Sequence, residues 1–175
     1  MSEIRFAGHN LNKNMFNDNN KVLILENIRS AHNVGAIFRT ASGAGVGKIF
    51  LVGYTPTPLD RFNRPQQTIK KTALGAEQEI PWEYDSEIEA IIFKLKRQSY
   101  KIVSVEQTST SVSLENFCTP QKAVFILGNE VSGVTDKALG LSDYITQIPM
   151  LGKKESLNVA TAMALVVYHD LLCKK

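Results

Sequence analysis

Short apolar runs alternate with helix-periodic segments along most of this 175-residue chain. A continuous apolar run is typical of a strand buried on both faces, and apolar residues at every third or fourth position are typical of a helix. The predicted strands are residues 22–25, 49–52, 102–105, 124–127 and 144–148, and the predicted helices are residues 32–44, 88–95, 136–141 and 159–172. This order predicts an α/β fold with a mostly parallel sheet flanked by helices.

The beginning of the chain differs in composition from the rest. Residues 1–20 contain six asparagines and few large apolar side chains, so we expect an N-terminal arm there. Residues 21–175 show no internal repeat and no linker. We expect them to form a single domain.

Composition narrows the classes of protein to consider. The hydrophobic content of 43% and the formal net charge of +3 are those of an ordinary globular protein whose surface permits a polyanionic partner without requiring one. No apolar run is long enough to cross a membrane, and Met1–Phe16 has no signal-peptide pattern. Cys118 and Cys173 lack metal or redox spacing. We therefore expect a cytoplasmic protein with reduced thiols and no membrane partner.

Several familiar kinds of site are not supported by the sequence. The glycines of Gly43–Gly47 end a predicted helix and precede a strand, whereas a dinucleotide-binding loop follows a strand and opens a helix. His9, His32 and His169 are too scattered to predict a metal site. No serine has a plausible histidine partner for nucleophilic catalysis.

Unusual polar residues follow three of the predicted strands, in the segments Glu26–Arg39, Gly128–Gly133 and Met150–Asn158. Ligands of parallel sheets bind outside the carboxyl ends of the strands, so we expect the three segments to meet at one cleft. Arg39 lies on an otherwise apolar helix and needs a partner, which is either a structural salt bridge or a bound phosphate.

The last of these segments leads into the C-terminal helix. Ser156 and Asn158 are residue types that favour helix N-caps, and backbone donors at a helix start can hold an anionic group. An ordinary capped helix would explain the same residues.

Taken together, the three segments resemble the SpoU (TrmH-type) RNA ribose methyltransferases of the SPOUT superfamily. The first carries Asn-x-Gly-x-x-x-Arg, at Asn33, Gly35 and Arg39. The second carries Gly-x-Glu-x-x-Gly, at Gly128, Glu130 and Gly133. The third reads Ile-Pro-Met-x-Gly and then Ser-Leu-Asn-Val, between Ile148 and Val159. Order and spacing agree over residues 22–172. The chain departs from many relatives at Ser30-Ala31, where they have Asp-Pro, and at Ala160, where they have serine.

The resemblance implies a sheet that ends in a C-terminal trefoil knot, with S-adenosylmethionine bound in the knot. It also implies a homodimer whose sites are built from both subunits. The residues that it implies for cofactor binding are Leu127, Gly128, Ile148, Met150 and Leu157.

The implied reaction is methylation of a ribose 2′-hydroxyl in structured RNA, either tRNA or rRNA. The catalytic residues that the resemblance implies are Arg39, Asn33, Glu130, Ser156 and Asn158. In the family the arginine is proposed to take the hydroxyl proton, but arginine stays protonated in ordinary sites, so binding of phosphate and ribose is the other role for Arg39. Asn33 is expected to orient Arg39 or the ribose, and Glu130 to fix Arg39 or the substrate.

RNA contacts are expected from basic residues outside the three motifs, and these are Arg61, Arg64, Lys70, Lys71, Lys153 and Lys154. Such cations position RNA without reading its sequence. Two other functions stay open from the sequence: a catalytically silent RNA-binding assembly factor of the same fold, and a nucleotide-dependent oxidoreductase, which would lack its glycine fingerprint.

Overall fold

A computed structural model describes residues 20–173, and within that range seven strands form one parallel sheet in the order β3-β2-β1-β6-β4-β7-β5. The strands are β1 (Lys21–Glu26), β2 (Lys48–Val52), β3 (Trp82–Asp85), β4 (Lys101–Val105), β5 (Val112–Ser113), β6 (Ala123–Leu127) and β7 (Tyr144–Gln147). The predicted arm lies outside the described residues except for Asn20.

Helices cover both faces of the sheet. They are α1 (Ala31–Gly43), α2 (Gln67–Ala73), α3 (Ala76–Glu79), α4 (Ile88–Arg97), α5 (Asp136–Leu141) and α6 (Val159–Cys173). Helices α1, α2, α3 and α6 pack over one face, and α4 and α5 pack over the other. None of the helices in the described range is long and apolar enough to cross a membrane.

Strand β1 shows why the sheet strands are apolar throughout. Leu23 and Leu25 belong to the core beneath α1, whereas Val22 and Ile24 belong to the core beneath α4. Successive side chains point to opposite faces, so a strand covered on both sides needs apolar residues at every position. Glu26 ends this run as a buried carboxylate that accepts hydrogen bonds from the backbone nitrogen and the hydroxyl of Thr135, at 3.1 and 2.7 Å.

The topology changes direction between β1 and β6, which are neighbours in the sheet. From β1 the chain crosses one face through α1 to β2, and from β6 it crosses the opposite face through α5 to β7 on the other side of β4. A crevice opens at such a switch point, outside the carboxyl ends of the strands. The fold therefore places the polar segments that follow β1 and β6 beside each other.

The predicted strands and helices are all present, with bounds within about two residues, the usual uncertainty of element ends. Among the strands and α-helices, four short elements were not predicted: α2, α3, β3 and β5. Helices α2 and α3 are too short to show a helical period, and β3 is a half-exposed edge strand without a continuous apolar run.

Candidate active site

A cavity of about 470 Å³ opens at the carboxyl ends of the central strands. Its walls come from the residues that end β4 and β6 and from the segment that follows β7. All five residues predicted to bind the cofactor line it, namely Leu127, Gly128, Ile148, Met150 and Leu157. Glu130 and Ser156, from the predicted catalytic set, line it as well.

Glu130 and two further predicted catalytic residues, Asn33 and Asn158, form a hydrogen-bonded chain at this end of the sheet. The side-chain nitrogen of Asn33 donates to Oε1 of Glu130 at 3.0 Å, and the side-chain nitrogen of Asn158 donates to Oδ1 of Asn33 at 3.1 Å. One residue comes from each of the three sequence motifs. Asn33 therefore joins segments that lie 97 and 125 residues away along the chain.

The hydrogen bonds that link Asn158, Asn33 and Glu130 can run in only one direction. An ionised carboxylate only accepts, so Asn33 has to present its amide nitrogen to Glu130 and its oxygen to Asn158. Asn158 then donates its nitrogen, which leaves its oxygen for the backbone nitrogens of Ala160 and Thr161, at 2.9 and 3.4 Å. Asn158 is thus the N-cap of α6, and the cap orientation depends on the ionised state of Glu130.

The Glu130 carboxylate also holds the start of α1. It accepts from the backbone nitrogens of Arg29 at 2.9 Å and Ser30 at 3.2 Å, and Ser30 is the N-cap of α1. Burial by itself would raise the pKa of the Glu130 carboxyl, but hydrogen bonds from Arg29, from its own backbone, from Asn33 and from Ser30 together lower that pKa below its ordinary value of 4.5. Glu130 is therefore a fixed anion at neutral pH.

The turn that carries Glu130 explains the glycines of its motif. Asn129 and Gly133 exchange two backbone hydrogen bonds of 3.0 Å, and Gly133 has a φ of 72°, a left-handed value that favours glycine. A Cβ on Gly128 would lie 2.2 Å from the backbone of Gly133 and Val134. Both glycines therefore allow the chain to turn back and pack closely against the end of β6.

Asn129 fixes this turn from inside. Its side-chain oxygen accepts from the backbone nitrogens of Val131 and Ser132, at 2.8 and 2.9 Å. Its nitrogen donates to the carbonyl of Asn27 and to the hydroxyl of Tyr54, at 2.9 and 2.8 Å. The buried amide is therefore fully bonded and ties the turn after β6 to the ends of β1 and β2.

Arg39 was predicted to have either a structural salt bridge or a bound phosphate as its partner. It is exposed on α1, and within residues 20–173 no hydrogen bond or ion pair reaches its guanidinium. It does not line the cavity. Asn33 and Glu130, which were expected to contact either Arg39 or the substrate, bond to each other. Among the described residues, Arg39 therefore lacks the salt-bridge partner, and the bound phosphate stays a prediction.

The other predicted residues occupy exposed positions. Ser156 lies in the segment between β7 and α6, beside the cavity, and Asn158 rather than Ser156 caps the helix. The basic residues predicted to contact RNA are all exposed, in the loop after β2, on α2 and in the segment before α6: Arg61, Arg64, Lys70, Lys71, Lys153 and Lys154.

Among the cavity residues that the sequence analysis missed are two polar residues that follow β4. Glu106 follows β4 and accepts from the backbone nitrogen of Val134 at 2.9 Å, and Gln107 donates to the carbonyl of Glu155 at 2.9 Å. The sequence could have predicted them, because both are polar residues that directly follow a strand, like the residues of the three segments singled out in the sequence. No cluster that could hold a metal ion occurs in the part of the chain that the structure describes.

Comparison with known proteins gives the family. The SpoU rRNA Methylase family matches residues 20–168. A tRNA (guanosine(18)-2′-O)-methyltransferase of Escherichia coli K12 is 30% identical over 145 residues, which are 83% of this chain and 60% of that protein. The 23S rRNA (guanosine-2′-O-)-methyltransferase RlmB of Bordetella pertussis is 28% identical over 150 residues, 86% of this chain and 58% of that protein.

Solved structures share the fold. The A. aeolicus TrmH/SpoU tRNA modifying enzyme superposes with a TM-score of 0.75 at 20% identity, over 89% of this chain and 79% of that one. An AdoMet-bound rRNA methyltransferase from Sinorhizobium meliloti gives a TM-score of 0.76 at 23% identity, over 89% and 57% of the two chains. The chain therefore belongs to the SpoU methylase family and has its fold. It spans about three fifths of the length of the curated relatives that it matches.

Proposed function

We propose that this protein transfers a methyl group from S-adenosylmethionine to a ribose 2′-hydroxyl of a structured RNA. The observation that carries the proposal is the cavity beside the Glu130–Asn33–Asn158 chain, since residues from all three family motifs meet there. The names of the curated relatives, which are 2′-O-methyltransferases of tRNA and rRNA, support the same reaction.

The cavity suits the cofactor in size and in chemistry. Its volume of about 470 Å³ is in the range of pockets that bury small ligands. Leu127, Ile148 and Leu157 offer apolar surface for an adenine ring, and the backbone at Gly128 offers polar groups at a strand end. When bound, S-adenosylmethionine supplies a methyl group on a positively charged sulfur.

The protein's own contribution is alignment of the acceptor. Asn33 and Glu130 hold the start of α1 rigidly against the turn after β6, and Ser156 lies on the cavity wall where it can contact the reactive end. The exposed Arg39 guanidinium binds the phosphate and ribose of the target nucleotide, in the bidentate manner that arginine favours. Alignment of this kind lowers a barrier by up to about 7–11 kcal/mol in the best cases.

The position of Arg39 supports a site shared between two copies of the chain. Arg39 does not line the cavity of its own subunit, and α6 carries the exposed apolar residues Leu165 and Leu172. We propose a homodimer in which Arg39 of one subunit serves the cavity of the other. An equal mixture of Arg39→Ala and Leu157→Glu subunits, dissociated and reassembled, tests this arrangement.

In the shared arrangement each mixed dimer keeps one complete site. The mixture then regains about a quarter of wild-type activity, because about half of the dimers are mixed. A mixture as inactive as its two parents would show that Arg39 and the cavity act within one subunit.

The chain path supports the expected trefoil knot. Strand β7 lies beyond β4, whereas α6 packs with α1 on the far side of β6. The segment between β7 and α6 therefore has to pass back across the strand ends, where Gln107 bonds to Glu155. We propose that this segment forms the knot and that the protein acts on RNA in the cytoplasm.

Calorimetry with S-adenosylmethionine, followed by transfer of a labelled methyl group to total tRNA and rRNA, tests the proposal. We expect binding at one site per subunit and label in the RNA. Binding of RNA without binding of the cofactor would instead support a catalytically silent assembly factor. Absence of both would contradict the proposal.

A further inference from the structure

We propose that the tip of the loop after β2, formed by Arg61, Phe62 and Arg64, stacks on an unpaired nucleotide of the RNA. The inference rests on the proposed function for the identity of the partner. It adds a residue, Phe62, that belongs to none of the three motifs and is not part of the cavity.

Phe62 is exposed to solvent next to two cations. Its side chain is 61% exposed, although burial of a phenylalanine is favourable by about 1.5–3 kcal/mol. The guanidinium carbons of Arg61 and Arg64 lie over its ring, at 4.8 and 4.9 Å from the centroid. An exposed aromatic ring and the guanidinium planes beside it are the surfaces on which unpaired nucleobases stack.

The tip is held in shape by Asp60. Its carboxylate accepts from the backbone nitrogens of Phe62 and Arg64, at 2.8 and 3.0 Å, and from Nε of Arg64 at 2.8 Å. Hydrogen bonds from the backbone and side chain of Arg64 lower the pKa of the Asp60 carboxyl below its ordinary value. Leu59 and Pro65 pair below the tip. The Phe62 ring therefore lies on an ordered turn, and this order reduces the entropy lost when the RNA binds.

The base of the loop is anchored to the same end of the sheet as the cavity. The Tyr54 hydroxyl accepts from Asn129, and the hydroxyl of Thr55 bonds to the carbonyls of Leu25 and Val52, at 2.9 and 2.8 Å. Beyond Asp60 the chain carries four cations before the end of α2, which are Arg61, Arg64, Lys70 and Lys71. The loop thus combines a stacking surface with the charge that a phosphate backbone requires.

The geometry selects an unpaired nucleotide over a duplex. Bases inside an RNA helix are stacked on each other and covered, whereas bases in loops and bulges are free to stack on protein side chains. Arg61 has no ion pair within residues 20–173, so its charge is available to the phosphate of the nucleotide that stacks on Phe62.

The test compares Phe62→Ala with Phe93→Ala, since Phe93 is 50% exposed on α4, across the sheet from α2. The probes are a labelled RNA hairpin with an unpaired loop and a blunt duplex with the same stem. We expect Phe62→Ala to weaken hairpin binding by roughly 5- to 150-fold, the range for loss of one stacked base. Duplex binding and cofactor binding should not change, and Phe93→Ala should match the wild type.

Two further variants separate stacking from general packing. Phe62→Trp should keep hairpin affinity, and Phe62→Leu should not, because leucine has no π-face.

A third variant tests the phosphate contact: Arg61→Ala should reduce the slope of log affinity against log salt by about one.

Hairpin binding by Phe62→Ala at wild-type affinity, equal losses for hairpin and duplex, or no hairpin binding by the wild-type protein would each overturn the inference. If the wild-type protein binds the hairpin through Phe62 but transfers no methyl group, the proposed function fails and the stacking site stands.

Discussion

The side chain of Asn158 donates a 3.1 Å hydrogen bond to the side chain of Asn33, 125 residues earlier in the chain. Because Asn33 also binds Glu130, this contact links the N-cap of the last helix to the start of the first. The three motifs of the sequence are therefore parts of one polar network at the rim of the cavity.

Replacing Asn33 by alanine should break both of its side-chain bonds. We expect a loss of about 1–2 kcal/mol in the free energy of unfolding, since Glu130 and Asn158 each lose a partner. A double-mutant cycle with Asn158→Ala, followed by urea unfolding, measures the coupling. Additive losses from the two substitutions would show that the bond between the two asparagines contributes nothing.

Glu130→Gln should destabilise the protein at neutral pH, because its amide nitrogen would take the place of one carboxylate oxygen and face either the backbone donor of Arg29 or the donors of Ser30 and Asn33. Glu130 is exposed, so the expected loss is on the order of 1 kcal/mol after allowance for solvent screening.

The same substitution predicts a pH dependence with a definite sign. The pKa of Glu130 is lowered by folding, so its stabilising effect is complete above the ordinary value of 4.5 and is lost as the pH falls through the lower, folded-state pKa. The gap in stability between wild type and Glu130→Gln should therefore close in acid. A gap that widens below pH 4.5 would contradict the network.

Gly128→Ala should be strongly destabilising, because the added Cβ would meet backbone atoms at 2.2 Å that cannot move aside. We expect a loss of about 2 kcal/mol or more in urea unfolding. Gly140→Ala, within α5, is the matched control: nothing lies within 4 Å of its Cβ position. That substitution should leave the stability unchanged or raise it by up to about 1 kcal/mol, as expected for glycine in a helix. Equal effects at the two positions would refute the close approach at Gly128.

Leu157→Glu should weaken binding of S-adenosylmethionine at least about tenfold, because a carboxylate in the cavity would lose hydration without gaining a partner. Calorimetry on the purified variant measures this loss. Leu151→Glu serves as control, since Leu151 is 99% exposed and lies outside the cavity lining. Normal cofactor affinity in Leu157→Glu would remove this cavity from consideration as the binding site.

The main elements of the fold were predictable because their strands are buried on both faces and their helices are periodic. The five predicted cofactor residues all line one cavity, and this was predictable because parallel strands end at one edge of the sheet. Contacts of Asn33 with Glu130 and Asn158 could not be predicted, because sequence spacing does not show which side chains of separate segments meet. Contact with Arg39 was one of two roles expected for Asn33 and Glu130, and neither side chain bonds to Arg39, which lies further along α1. Glu106 was missed although it stands at a strand end like the residues that were recognised.

The most direct test of the central claim is a transcriptome-wide map of ribose 2′-O-methylation in cells that lack this gene, complemented with the wild type or with Arg39→Ala. We predict that a methylated site in tRNA or rRNA disappears on deletion, returns with the wild type and stays absent with Arg39→Ala, while the purified variant binds S-adenosylmethionine normally. Full restoration by Arg39→Ala, or a methylation map that deletion leaves unchanged, would contradict the account.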